Sequence, residues 1–239
     1  MKNKSLHIVV VFALVGIIAL YGTQMMEEIT AIVAGSITTE VDEIADEEIN
    51  GVDIMIDPGH GGPDPGKVGI NGALEKDLNL EIGKKLYEEL EKMGYTVLMT
   101  REDDEALSPE SEFSKVGDLS SRVEMINEVK PQLVVSIHQN SYSSEDVKGA
   151  QVFYYTESLE AKEAAQNIQQ ELLLLDTENT RQIKENDTYY LLKRTEVPTI
   201  IVECGFLSNA MEADKLIDTE YQQQLVEAIA AGITSYLGE

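Results

Sequence analysis

Residues 52–66 read VDIMIDPGHGGPDPG, and the fold follows from how that stretch changes character midway. Ile54, Met55 and Ile56 form a short apolar run with strand character, which stops at Asp57-Pro58. A glycine-rich loop follows and presents His60 where a sheet would end. Gly59, Gly61 and Gly62 take side chains away from the imidazole and permit positive backbone dihedrals, so a large ligand can approach the loop closely. A lone histidine in a turn is more often simply solvated. The histidine count argues otherwise: the chain has three, and the second one beyond the N-terminal segment, His138, also ends an apolar strand-like run, LVVSIH.

Working outward, Leu78, Ile82, Leu86 and Leu90 recur every four residues and predict a helix over about 74–93. Glu75 falls within that apolar stripe, whereas Glu81 points away from it. A carboxylate in a first helical turn is favoured by the helix dipole, so a dipole role and a ligand role are equally open on spacing alone. Its inward face and its closeness in sequence to His60 make Glu75 a candidate metal ligand. Residues 96–101 read as a second strand, 133–138 as a third and 151–155 as a fourth. Helices are expected around Leu119, Val123 and Ile126, over 158–175, and along Tyr221, Leu225, Ile229, Ile233 and Leu237. A short fifth strand is expected at 189–192, after an irregular polar connection over 176–187. Strands and helices interleaved in this way predict an α/β fold in a single layered domain.

The stretch TIIVECGFLSN, residues 199–209, is an apolar strand that carries a carboxylate near its end. A charged group buried in a strand is costly unless it is paired or lies at a metal, so Glu203 reads as functional. Strand alternation sends neighbouring Cys204 to the opposite face, where it reads as a small core residue. Two histidines and a glutamate are a recognised ligand set for catalytic zinc, with one position left for water. Structural zinc sites close with cysteine-rich sets of four, which a chain with one cysteine cannot build. The sequence has no HExxH, no GxSxG, no GxxxxGK and no dinucleotide fingerprint. Metal-assisted hydrolysis is the economical reading.

Composition sets the surroundings. With 239 residues, 43% of them hydrophobic, the chain can build one sizeable core. Lys2 and Lys4 precede an uncharged apolar run at 8–21, so residues 1–26 are expected to be a signal peptide or signal anchor. The protein is then exported, secreted or anchored on the outer side of a membrane. Residues 27–50 hold eight acidic side chains and no basic one, and read as an acidic linker. The catalytic domain is expected over 51–239. A formal net charge of −26 excludes nucleic acid as a partner and opposes adsorption to anionic walls or membranes. Membrane contact is expected only through the N-terminal segment.

The ordered motifs IDPGHGG, LEKDLNL, TR followed by Asp103, LSSRVEMIN, VVSIHQNS and VPTIIVECGFLSN resemble those of the zinc-dependent N-acetylmuramoyl-L-alanine amidases of the third amidase family. The resemblance spans residues 52–237. It implies His60, Glu75 and His138 as zinc ligands, Glu203 as the catalytic carboxylate, and a mixed sheet of about six strands with helices on both faces. Asn140, Arg101 and Arg122 are candidates for binding substrate; for either arginine a structural salt bridge is the competing role. The short exported form with VECGF is similar to the germination-specific amidases of endospore formers. That narrower resemblance implies action on spore cortex peptidoglycan in the forespore intermembrane space and generation of muramic lactam. The net charge of −26 separately predicts that either the N-terminal segment as an anchor or an accessory or activator protein holds the enzyme on its polymer. A metallopeptidase on free peptides and a wall-binding module with a vestigial metal site are the alternatives from other classes.

Overall fold

Residues 54–58 are buried without exception as strand β1 (Ile54–Pro58), whose side chains alternate between two apolar layers. The structure, a computed structural model, describes residues 51–108 and 113–238. The expected signal segment at 1–26 and linker at 27–50 lie outside the described residues. After the His60 loop comes α1 (Glu75–Lys92), which buries the four-residue leucine and isoleucine stripe along with Glu75. Then follow β2 (Val97–Met99), α2 (Lys115–Val129), β3 (Leu133–Asn140), β4 (Gln151–Tyr155) and α3 (Leu159–Leu175). The chain continues through β5 (Lys184–Asn186), α4 (Tyr190–Arg194), β6 (Thr199–Phe206), α5 (Ala210–Leu216) and α6 (Thr219–Leu237).

Side-chain oxygens set where several helices begin. Ser114, Ser158, Asn209 and Asp218 each accept an N–H from the first turn of the following helix. Helix α2 ends in a left-handed residue: Lys130 closes it at φ 53°, directly before Pro131.

The sheet is mixed and six-stranded, in the order β2-β1-β3-β6-β4-β5. The first four of these run parallel, while β4 pairs antiparallel with β6 and β5 lies parallel to β4. One face carries Ile54, Ile56, Val135, Ile137, Val202 and Cys204 into the main core beneath α1, α3 and α6. Cys204 therefore lies on the face opposite Glu203, as strand alternation requires. The other face packs Met55 and Val134 against Val123 and Ile126 of α2 and Leu191 of α4. That second face also carries Asp57, Ser136, His138 and Glu203.

Two expected elements are corrected. The strand anticipated at 189–192 is the helix α4, and the fifth strand lies at 184–186, inside the connection expected to be irregular. Lys184-Glu185-Asn186 is a short, largely exposed edge strand, so it carries no hydrophobic alternation to read. Asn186 then ends it: its Oδ1 accepts the N–H groups of Thr188 and Tyr189, turning the chain into α4. The strand at 199–209 stops at Phe206, and α5, not anticipated, begins after its Asn209 cap.

Candidate active site

The loop after β1 holds His60 in an unusual backbone state. Its φ is 64°, a left-handed conformation that a non-glycine residue adopts only when its surroundings impose it. Two buried arginines supply that constraint. Arg101 donates to the carbonyls of Pro58, Gly59 and Lys76, and Arg122 to those of Pro58 and His60. Arg122 is itself held by Asp57 at 2.6 Å and Asp118 at 2.8 Å. Burial alone pushes the Asp57 carboxyl up, but the Arg122 charge and the Ser136 and Thr100 hydroxyls outweigh it and bring its pKa down to about 2. The guanidinium groups of Arg101 and Arg122 are thus engaged with groups of the protein and clamp the loop, while Arg122 also lines the cavity.

With the loop held, His60, Glu75 and His138 converge. Each offers one ligand atom, and these atoms lie within 4.8 Å of one another. Glu75 Oε1 is 3.2 Å from His60 Nε2 and 3.0 Å from His138 Nδ1. It also accepts the N–H of Gln139, while Oε2 accepts that of Lys67. Burial raises the Glu75 pKa, yet both imidazoles overcome it and hold the carboxyl well below the usual carboxylate range. The loop glycines are needed for this closeness. A Cβ on Gly59 would collide with His138 Nε2, and one on Gly66, at φ 66°, would lie 2.6 Å from Glu75 Oε2. The sheet contributes through a register irregularity: His138 pairs with Glu203, but Asn140 pairs with Phe206, so two steps on β3 match three on β6.

Glu203 faces the cluster from β6. It is 8% exposed, and its Oε2 is buried with no hydrogen-bond partner among the described residues. Burial pushes its pKa up to about 7, with His138 opposing the rise and Glu75 adding to it. A buried oxygen of this kind normally finds a partner. Two nitrogen donors and one carboxylate, preorganised beside it, fit a divalent cation that keeps an open coordination position.

The sequence reading did not single out Asp64 or Lys115. Asp64 Oδ2 lies 2.8 Å from His60 Nδ1, and Lys115 Nζ lies 2.7 Å from Asp64 Oδ1. With Nδ1 bonded to a carboxylate, the Nε2 atom is the one presented to Glu75 and to a cation. The only sequence signal was a carboxylate four residues beyond the histidine in the same loop. Asn140 lines the cavity, where its Oδ1 accepts the N–H of Ser141.

Fold and site together define a class: an α/β protein with a three-donor cluster able to hold a metal ion, and a base-competent carboxylate beside it at the carboxyl ends of the strands. Residues 54–235 match the family described as N-acetylmuramoyl-L-alanine amidase, and the chain belongs to that family. It is 40% identical over 195 residues to the germination-specific N-acetylmuramoyl-L-alanine amidase of Bacillus subtilis, covering 80% of this chain and 82% of the relative. The CwlD amidase of Clostridioides difficile, solved in complex with the GerS lipoprotein, is 39% identical with a TM-score of 0.75, over 78% of this chain and 98% of that one. A second amidase, from Clostridium difficile 630, is 34% identical with a TM-score of 0.70, over 79% and 97% of the two chains.

Proposed function

We propose that this amidase is zinc-dependent and cleaves the amide between the lactyl group of N-acetylmuramic acid and the L-alanine of the stem peptide, in spore cortex peptidoglycan on the way to muramic lactam. The observation that carries the mechanism is the buried, unpartnered Glu203 Oε2 facing the His60, Glu75 and His138 cluster. His60, Glu75 and His138 would hold the zinc, which would supply Lewis acidity and lower the pKa of a water to roughly 7. Glu203 accepts the proton of the attacking water and delivers it to the departing alanine nitrogen. Its Oε2, buried and without a hydrogen-bond partner among the described residues, is available to take that proton. Asp64 keeps His60 in the orientation that turns Nε2 toward the cluster, and Arg101 and Arg122 hold the loop that carries it.

The setting follows from the relatives. One is named germination-specific and another was solved with a lipoprotein, which supports a cortex role and an accessory protein partner for this chain. Action in the forespore intermembrane space is part of the same proposal. Among the described residues no helix is long and apolar enough to cross a membrane.

The test is mass spectrometry of cortex peptidoglycan incubated with the zinc-loaded protein, with and without chelator. Free stem peptides beginning with L-alanine, abolished by the chelator and restored by zinc, are expected. Peptide release that survives complete metal removal would overturn the zinc assignment.

A further inference from the structure

The cavity above the cluster has about 390 Å³ of space and two walls of different chemistry. One wall comes from the start of α2, with Lys115 and Leu119; the other comes from the turn into α4, with Tyr189 and Tyr190. We propose that the tyrosine wall is a saccharide subsite that receives the muramic acid ring, while the Lys115 wall faces the carboxylates of the stem peptide. The assignment rests on the amidase reading above. An amide that joins a sugar-borne lactyl group to a peptide places the sugar on one side of the reacting carbonyl and the peptide on the other, and the aromatic and cationic linings differ in chemistry as those two halves do.

The tyrosines suit the sugar. Both residues are 37% exposed and line the cavity. They are also held by neighbouring side chains. The Tyr189 ring lies 5.6 Å from that of buried Phe153, Lys184 Nζ stands 5.4 Å over Phe153, and the Arg194 guanidinium lies 5.9 Å from the Tyr190 ring. Asn186 fixes the turn that leads into them. A pyranose presents a face of C–H groups ringed by hydroxyls, which complements an aromatic face with a phenol at its edge. Rings already held in place lose little freedom when the sugar docks.

Lys115 suits the peptide. Its side chain is 68% exposed, and although Nζ is bonded to Asp64 an ammonium carries three donors, so N–H groups remain for a second carboxylate. On a chain of net charge −26 this cation stands at the cleft, where an acidic peptide otherwise meets repulsion.

Calorimetric binding of the two product halves tests the assignment without turnover. The probes are the stem-free N-acetylglucosamine–N-acetylmuramic acid disaccharide and a free acidic stem tripeptide beginning with L-alanine, each titrated into zinc-loaded protein. The double variant Tyr189→Ala/Tyr190→Ala is expected to weaken disaccharide binding about tenfold and to leave the tripeptide within about twofold. Lys115→Ala is expected to do the reverse. Tyr189→Phe/Tyr190→Phe keeps the rings and should retain most disaccharide affinity, which separates loss of the aromatic face from damage to the fold. Unchanged disaccharide affinity in the alanine pair, a crossed pattern, or no disaccharide binding by the wild type would each overturn the proposal. Failure of the amidase reading shows elsewhere, as a wild-type protein that releases no stem peptide from peptidoglycan.

Discussion

At Glu203, burial and ionisation oppose each other. Its pKa in the folded chain is about 7, against an ordinary 4.5, so folding favours the protonated form. That preference stabilises the protein fully below about pH 4.5 and is lost as pH rises through 7. Glu203→Gln should therefore raise the Tm of metal-free protein at pH 8 and change it little at pH 4. The same change should lower kcat by about 10²–10⁴ while zinc stays bound. A Glu203→Gln protein with no Tm gain at pH 8 would show that the carboxylate is not strained there. A second expectation concerns Asp64. Asp64→Ala should weaken zinc binding about 10–100-fold, read by competition with a chromophoric chelator, with Asp64→Asn between the two because it keeps an acceptor for His60 Nδ1. His60, Glu75, His138 and Glu203 could be read from the sequence because each is chemically out of place: imidazoles at strand ends, carboxylates on apolar faces. Asp64 sits in a polar turn where a carboxylate is unremarkable, and only the folded loop brings it to 2.8 Å from His60.

Elements were legible wherever burial imposes a period. The β1, β3 and β6 runs are fully or largely buried, and α1 repeats its apolar residues every four positions, so length and pattern agree with the fold. The segment 184–194 was misread because its structure is set by one side chain instead of by a pattern. Tyr189-Tyr190-Leu191-Leu192 has aromatic residues favoured in strands, yet the two backbone N–H groups bonded to Asn186 Oδ1 commit it to a helical turn. Asn186→Ala should cost about 1 kcal/mol, a fall in Tm of roughly 2–4 °C, measured by thermal unfolding. It should also weaken the disaccharide more than the tripeptide, since it frees the tyrosine wall. Equal loss for both ligands would mean the turn supports the whole cleft and not that wall in particular.

Across the whole molecule, acidic side chains outnumber basic ones by 44 to 18, while the substrate is itself a polymer bearing free carboxylates. Enzyme and wall repel over the Debye length, which is about 30 Å at 0.01 M salt and about 8 Å at 0.15 M. Most wall- or polyanion-binding proteins lose affinity as salt rises, because their contacts are attractive. Here the sign is reversed. Cosedimentation of the purified protein with peptidoglycan should give a pelleted fraction that increases between those two salt concentrations, as screening lets the cleft engage short-range contacts at Lys115 and the tyrosines. A partner that supplies positive charge or tethers the enzyme would remove this dependence, so adding it should raise the low-salt fraction most. A pelleted fraction that falls with salt would instead mean that local attraction at the cleft outweighs the charge of the molecule, and the electrostatic case for an accessory protein would lapse.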